Sequence, residues 1–304
     1  MFEPMNSFSL VRFQSVAAAA LFFITPAQSL QQNADVAAAH RKAVRAASDF
    51  ELYDAGERRP IASFQSDASP LSIALLFDGS GSMDVAAKVA GGRAAAHHLL
   101  SWLAPGTDQV GIFTFDTGLQ QELPFTKAGP DVLNLLDRVR PFGSTSIYDA
   151  IAETGRQVAA VGGPRRAVVV ITDGADNRSH MSPSQVAAVA SGLDVPVYVL
   201  VISSPIDHAG TETSIDREGT PTRTGALEDL ARATGGSLFT LSAPAHASVA
   251  ARQVVEELRH QYLLAFEPSS RAGWHPLSIR MRDTHFVVRA RNGYVAGPRL
   301  SQSQ

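Results

Sequence analysis

The sequence predicts an α/β fold with a doubly wound, mainly parallel central sheet, and three apolar segments carry this prediction. They lie at residues 71–77, 167–171 and 195–202, and none of them alternates apolar with polar residues. Apolar runs of this length are typical of strands that are buried on both faces. Segments with helical spacing lie between them, which indicates right-handed crossovers between parallel strands.

Composition limits the kind of protein this can be. The chain has 304 residues, of which 45% are hydrophobic and 18% charged, and this is enough for one large domain with an accessory layer. A formal charge of -3 without a basic run argues against nucleic-acid binding. The absence of cysteine excludes disulfides and thiolate metal sites.

The first 29 residues have the pattern of an export signal. Residues 16–24 form an apolar run that is too short to span a bilayer but suits the core of a signal peptide. The small residues that follow predict cleavage between about Ala27 and Leu30. A disordered Ala-rich leader is the alternative. We therefore expect a secreted or periplasmic protein with no membrane span after removal of the signal.

A polar loop follows the first buried strand. Asp78, Ser80 and Ser82 alternate with Gly79 and Gly81, so a tight loop can turn three oxygen-bearing side chains toward one point. The carboxyl ends of strands in an open α/β sheet are the edge at which ligands bind. Oxygen ligands suit a hard cation such as Mg2+.

Two later segments complete a known pattern. One is Gly-Ser-Thr-Ser-Ile-Tyr-Asp-Ala-Ile at 143–151, and the other is the apolar run that ends in Thr-Asp-Gly at 172–174. Together with the Asp-x-Ser-x-Ser loop, they resemble the metal-ion-dependent adhesion site of von Willebrand factor type A domains. The resemblance implies a doubly wound, Rossmann-like fold. It implies five metal ligands, with Asp78 and Asp173 acting directly or through water: Asp78, Ser80, Ser82, Thr145 and Asp173. Many relatives carry Thr where this chain has Gly79, a position that is not a ligand.

The same resemblance implies a cofactor and a kind of partner. The metal is expected to be Mg2+, with Mn2+ or Ca2+ as alternatives, and the partner another protein that presents an Asp or Glu carboxylate. Taken singly, each motif has a simpler explanation. A Gly/Ser loop after a strand and Asp173-Gly174 are common turns, and Thr145 could be a helix cap.

The flanks predict a small accessory β-sheet. A hairpin is expected at 50–53 and 60–64, and three strands at 261–266, 277–281 and 286–290, after a helix at 249–260. These flanks resemble a bacterial subgroup of von Willebrand factor A-related proteins, over residues 49–295. The predicted organisation is a signal peptide (1–29), a linker and accessory hairpin (30–69), a von Willebrand factor type A domain (70–245), and a helix with accessory strands (246–304).

The remaining helices and strands are predicted from the spacing of apolar residues and from the glycines and prolines that end each segment. Helices are predicted at 85–103, 130–139, 146–161, 183–191 and 226–234, and further strands at 109–115, 119–125 and 237–241. Residues 30–48 are a linker or a short helix whose function cannot be inferred. The polar segment 203–224 is a solvated loop, or part of a partner-binding rim because it leaves the same sheet edge as the metal.

Four titratable residues near these motifs are assigned structural roles. His97 and His98 are adjacent on one helix and so face different directions, which makes them a poor pair of ligands. Asp116 is expected in a turn. Asp149 is expected to be a charge at the start of a helix or a group that supports the ligands.

Other chemistry lacks the residues it needs. Neither Ser80 nor Ser82 lies in a Gly-x-Ser-x-Gly frame, the histidines form no zinc-hydrolase motif, and the Gly-rich loop lacks the Lys-Ser/Thr of a phosphate loop. We therefore predict an exported, metal-dependent protein-binding module and not an enzyme. Two alternatives are a metal-dependent hydrolase and a structural component of a cell-envelope assembly.

Overall fold

The structure is a computed structural model, and it describes residues 18–26, 46–66, 69–163, 165–204, 224–283 and 286–296. Most of the predicted linker at 30–48 and of the predicted loop at 203–224 lies outside the described residues. The same holds for residues 1–17 and 27–29 of the predicted leader.

Strands and helices alternate through the middle of the chain. The strands in chain order are β1 (Ala18–Pro26), β2 (Phe50–Asp54), β3 (Glu57–Arg59), β4 (Ile61–Ser66), β5 (Ser72–Asp78), β6 (Gln109–Phe115), β7 (Leu119–Lys127), β8 (Arg166–Thr172), β9 (Val197–Ile202), β10 (Leu238–Leu241), β11 (Tyr262–Phe266), β12 (Gly273–Met281), β13 (Phe286–Ala290) and β14 (Gly293–Ala296). The α-helices are α1 (Lys88–Ser101), α2 (Ile147–Val161), α3 (Pro183–Gly192), α4 (Gly225–Ala233) and α5 (Pro244–Arg259). Short 3-10 helices span Ala47–Asp49, Gly81–Ala87 and Pro130–Arg138.

The central sheet confirms the predicted fold. It has six strands in the order β10-β9-β8-β5-β6-β7. All neighbours pair in parallel except β7, which is antiparallel to β6 at the edge. The chain passes from β5 to β6 on one side, whereas β8 lies on the other side of β5, so the strand order reverses there. Ligands bind at such a reversal in open α/β sheets, outside the carboxyl ends of the strands.

Helices cover both faces of this sheet. Ile73, Leu75 and Phe77 of β5 pack in a core with residues of α1 and α5. Ala74 and Leu76 pack in a second core with residues of α2, α3 and α4. Every residue of β5 is buried, because successive side chains point to opposite faces and both faces are covered.

One predicted helix begins later than expected. The sequence predicted a helix from 85 to 103, but residues Gly81–Ala87 form a 3-10 helix and the α-helix runs over Lys88–Ser101. The segment 130–139 is likewise a 3-10 helix, over Pro130–Arg138. Short 3-10 segments are common at the ends of α-helices and as connectors.

The accessory β-structure is present and divides into two four-stranded sheets. One has the order β13-β1-β11-β4 and the other the order β14-β12-β2-β3, and the pairing in both is antiparallel. The strands share one apolar core that includes Leu52, Leu264, Phe266 and Ile279. Each sheet therefore combines strands from before and after the central domain.

The second strand of the predicted hairpin is wrong, because β2 pairs with residues 57–59 and not with 60–64. Strand β2 pairs with β3 through a turn at Ala55 and Gly56, both at positive φ. Pro60 then separates β3 from β4, and β4 pairs with β11 in the other sheet. Because proline has no N–H to donate to a ladder, it is a natural point for the chain to leave one sheet. Residues 18–24 of the predicted leader lie in β1, between β11 and β13, and cleavage of the leader stays a prediction.

Within the described ranges, no helix combines the length and apolar character that crossing a bilayer requires.

Candidate metal centre

The ends of β5 and β8 bring two of the predicted ligands to one edge of the sheet. The strands are neighbours and parallel, with Phe77 opposite Ile171. Asp78 therefore ends β5 beside Thr172, the last residue of β8, and Asp173 follows directly. This edge is the one at which the strand order reverses.

Asp78 is fully buried, and both of its carboxylate oxygens accept hydrogen bonds. The backbone N–H of Ser80 donates to Oδ1 at 2.9 Å, and the hydroxyl of Thr172 donates to Oδ2 at 2.5 Å. Burial raises the pKa of Asp78 to about 6, and the negative charge of Asp173 adds to this, although the hydrogen bonds from Ser80 and Thr172 act in the opposite direction. In the protein without metal, this carboxyl group is therefore poised between its neutral and charged forms near pH 6.

Ser80 and Ser82 place two hydroxyls side by side. Their Oγ atoms lie 3.1 Å apart, and Ser80 is buried. Mg2+ binds oxygen at 2.0–2.1 Å in an octahedron, so adjacent ligands lie about 2.9 Å apart. The separation of the two hydroxyls fits adjacent positions around such an ion, and the donor set of hydroxyls and carboxylates matches its preference for oxygen.

Backbone hydrogen bonds fasten the Asp78 loop to the segment that carries Thr145. The N–H of Gly81 donates to the carbonyl of Gly143 at 3.1 Å, and the N–H of Phe142 donates to the carbonyl of Gly79 at 2.8 Å. Gly143 has φ +87, which favours glycine, and a side chain at this position would also approach Asp116. The two loops therefore run side by side across the sheet edge.

Thr145 is held in turn by the segment that follows Asp173. Its N–H donates to Asn177 Oδ1 at 2.9 Å, and its carbonyl accepts from the N–H groups of Asn177 and Arg178, each at 3.0 Å. Thr145 is buried, at 2% exposure. The three ligand-bearing segments are thus joined pairwise by hydrogen bonds at this edge of the sheet.

Asp173 has a partner that the sequence analysis missed. Lys88, the first residue of α1, places its Nζ 3.0 Å from Asp173 Oδ2, and both side chains are buried, with exposures of 7% and 5%. Thr172 was also missed as the hydrogen-bond donor to Asp78. Thr172 lies next to a predicted ligand at a strand end, which is a usable signal, whereas no pattern in the sequence distinguishes Lys88.

Two nearby carboxylates lie where they were predicted, Asp116 in a turn and Asp149 in the first turn of a helix. Asp116 Oδ1 accepts from the N–H of Gly118 at 3.0 Å, within the turn between β6 and β7. Asp149 in α2 accepts from the N–H groups of His180 and Met181, at 2.9 and 2.8 Å. These bonds hold the segment after β8 against α2. They also lower the pKa of Asp149 against the opposing effect of burial.

Carboxylates and imidazoles alone do not build this site. In the part of the chain that the structure describes, His, Asp and Glu form no group of three or more that could hold a metal. The predicted centre has only two carboxylates and depends on three hydroxyls. The ligand set remains a prediction that this arrangement of oxygens fits.

Part of the chain matches the model of a known protein family. Residues 73–175 match the model of the von Willebrand factor type A domain. All five predicted ligands lie within the matched residues. A search of curated protein sequences finds no match to the chain.

Several solved structures resemble this one at low sequence identity. A von Willebrand factor type A protein from Catenulispora acidiphila is 13% identical, with 93% of this chain and 76% of that chain covered and a TM-score of 0.51. BatB from Bacteroides thetaiotaomicron is 22% identical, with 62% and 98% covered and a TM-score of 0.49. An aerotolerance-related membrane protein from Bacteroides fragilis is 21% identical, with 62% and 98% covered and a TM-score of 0.47. The first of these shows a shared fold.

Proposed function

We propose that this chain, which contains a von Willebrand factor type A domain, is an exported protein-binding module that captures a carboxylate of its partner at a metal centre. The observation that carries the proposal is the joining of three ligand-bearing segments at one sheet edge. Gly81 bonds to Gly143, Asn177 bonds to Thr145, and Thr172 bonds to Asp78. These bonds support a site whose oxygen ligands come from segments that are far apart in the chain.

The proposed ligands are Asp78, Ser80, Ser82, Thr145 and Asp173, and the proposed metal is Mg2+, with Mn2+ or Ca2+ as alternatives. A bound divalent cation supplies positive charge that attracts an external carboxylate. Three of the five ligands are neutral hydroxyls. If Asp78 and Asp173 act mostly through water, the atoms bound directly to the metal leave most of its charge uncompensated. An Asp or Glu side chain of another protein has the charge and the hard oxygen donors that this site favours.

Apolar side chains beside the ligand loops support binding to a protein. Phe142 is 80% exposed, although its N–H bonds to Gly79 within the metal loop. Val85, in the 3-10 helix that contains Ser82, is 52% exposed. Large exposed apolar groups next to a polar site are typical of interaction surfaces. We propose that Phe142 and Val85 contact apolar side chains of the partner that flank its carboxylate.

Binding, and not catalysis, is proposed because the titratable groups around the loops already have structural contacts. Lys88 pairs with Asp173, Asp116 closes its own turn, and Asp149 holds the turn at 180–181. Export to the periplasm or the medium is proposed from the predicted leader. A metal-dependent hydrolase would instead show turnover that chelation removes.

Calorimetry and partner capture together test this function. The wild-type protein should bind Mg2+ with one site, and Asp78→Ala should abolish that binding. An envelope extract should yield a partner that the wild type retains in Mg2+ and releases in EDTA. Phe142→Ala should weaken that capture while Mg2+ affinity is unchanged. Trp102→Ala is the matched control, because Trp102 is 42% exposed but follows α1, near the opposite edge of the sheet.

Two outcomes would overturn the proposal. Equal Mg2+ binding by the wild type and Asp78→Ala would mean that the cation binds elsewhere. A partner that stays bound in EDTA would favour the structural-component alternative.

A further inference from the structure

Lys88 places a positive charge inside the candidate metal centre. It is the first residue of α1, and its Nζ lies 3.0 Å from Asp173 Oδ2. Only 7% of the Lys88 side chain and 5% of the Asp173 side chain is exposed. This ion pair is therefore shielded from water, unlike most ion pairs on a protein surface.

Burial gives this pair its importance. An ionised group that leaves water without a partner is strongly disfavoured, so each member of a buried pair depends on the other. In the protein without metal, Lys88 balances the charge of Asp173. Asp173 is also a proposed ligand. A divalent cation at the centre therefore meets a carboxylate that already has a cation, and the two cations repel each other.

The surroundings of Lys88 offer its ammonium group another position. Lys88 lines a cavity of about 400 Å³ together with Gly91, Ser203, Ser204 and Ala247. The two serines bring hydroxyl groups to the lining. The lysine side chain is long and flexible, so its ammonium group can turn from Asp173 into this cavity without movement of the helix.

We propose that Lys88 is an internal counter-cation that divalent metal displaces from Asp173, and that it thereby sets the metal affinity of the site. This inference rests on the proposed function, because it takes Asp173 as a metal ligand. The cost of displacing Lys88 is subtracted from the binding free energy of the metal. Lys88 thus weakens metal binding and keeps the metal-free protein stable.

The test compares Lys88→Met, which removes the charge but keeps most of the side-chain volume, with the wild type. Calorimetry should show that Mg2+ binds Lys88→Met at least about tenfold more tightly, because a repelling charge is gone and Asp173 has lost its partner. In EDTA, the melting temperature of Lys88→Met should fall by about 5 °C or more. Asp173→Asn in the Lys88→Met background should restore much of that loss, since the uncompensated charge is then removed.

Lys127→Met is the matched control for loss of one positive charge. Lys127 is exposed and lies opposite Gln109 at the other edge of the sheet. The Mg2+ affinity of Lys127→Met should therefore equal that of the wild type. Lys88→Arg keeps the charge and should not tighten binding. If the wild type and Lys88→Met bind Mg2+ with equal affinity, the role of Lys88 is overturned but the proposed function is not. No Mg2+ binding by either protein would overturn this role together with the proposed function.

Discussion

The hydroxyl of Thr172 donates a hydrogen bond of 2.5 Å to the carboxylate of Asp78, and this bond joins the ends of two neighbouring parallel strands. The two residues are 94 positions apart in the chain. The same hydroxyl oxygen accepts from the N–H of Gly174 at 3.0 Å. Thr172 therefore orients the predicted ligand Asp78. It also holds the turn that begins at Gly174, directly after the predicted ligand Asp173.

Replacing Thr172 with Val, which has nearly the same shape, should destabilise the metal-free protein by about 1–3 kcal/mol, because Asp78 and the Gly174 N–H both lose a buried partner. Urea unfolding in EDTA measures this change. Thr172→Ser keeps the hydroxyl and should retain most of the stability. If Thr172→Val unfolds at the wild-type urea concentration, the hydrogen bond has no structural importance.

The pKa of Asp78, raised to about 6, predicts an unusual pH dependence of stability. An unfolded chain has an Asp pKa of about 3.9. The contribution of Asp78 to the stability of the metal-free protein should be fully present below that value and be lost as pH rises through about 6. The loss is about 3 kcal/mol. Urea unfolding in EDTA from pH 4 to 7 measures it, with Asp78→Asn as the control that should lack this component.

Thr145→Ala should weaken partner binding more than Mg2+ binding, because one ligand is lost while the Asp78 loop remains. Asp78→Ala should remove both, since it takes away a carboxylate that the charge of the ion needs. Calorimetry with Mg2+ and then with the captured partner distinguishes the two variants. Unchanged partner affinity in Asp78→Ala would mean that recognition lies outside the metal centre.

Asp54 should stabilise the accessory sheets in a way that acid removes. It is fully buried and accepts from the Ser269 N–H at 2.8 Å, from Tyr294 Oη at 3.0 Å and from His275 Nδ1 at 2.8 Å. Burial would raise the pKa of Asp54, but these hydrogen bonds and the adjacent His275 lower it overall. Its contribution is therefore present above the unfolded-state pKa of about 3.9 and lost as pH falls through the lower folded value.

Asp54→Ala should accordingly destabilise the protein by about 3 kcal/mol at pH 7, and the difference from the wild type should shrink as pH falls below about 4. Asp137→Ala is the control, because the Asp137 side chain is 54% exposed and should contribute little. Equal effects of the two substitutions would show that the buried hydrogen bonds of Asp54 do not stabilise the sheets.

The exported protein should begin between about residues 28 and 30, because a short apolar core precedes small residues there. Mass spectrometry of protein recovered from the periplasm or medium measures its first residue. Recovery of the intact amino terminus would contradict the leader hypothesis.

The central sheet was predictable because burial on both faces leaves a direct trace in the sequence. Strand β5 is flanked by helices on each side, so it has no need of polar alternation, and its seven residues are all buried. Asp78 is conspicuous because it is a charged residue directly after that apolar run. The ligand loops could be recognised because glycines and hydroxyls cluster within a few residues of one another.

The contacts that complete the site were not predictable from local pattern. Lys88 meets Asp173 across 85 positions of the chain, and a single lysine after a loop resembles any solvated surface residue. The same limit applied to the accessory strands. Short apolar segments identified β2, β4 and β11, but the choice of partner depends on long-range packing, and a four-residue strand such as β14 leaves almost no periodic signal.

Strand β1 belongs both to the predicted leader and to one of the accessory sheets, so cleavage of the leader would change that sheet. This strand is registered with β11 on one side and β13 on the other, through five residue pairs with each. If export removes residues 1–29, the mature protein loses the inner strand of that sheet, and two facing backbones lose their hydrogen-bond partners. Unpaired strand edges recruit extended chains. Maturation would then create a vacancy that an apolar strand from another polypeptide could fill, at a surface separate from the metal centre.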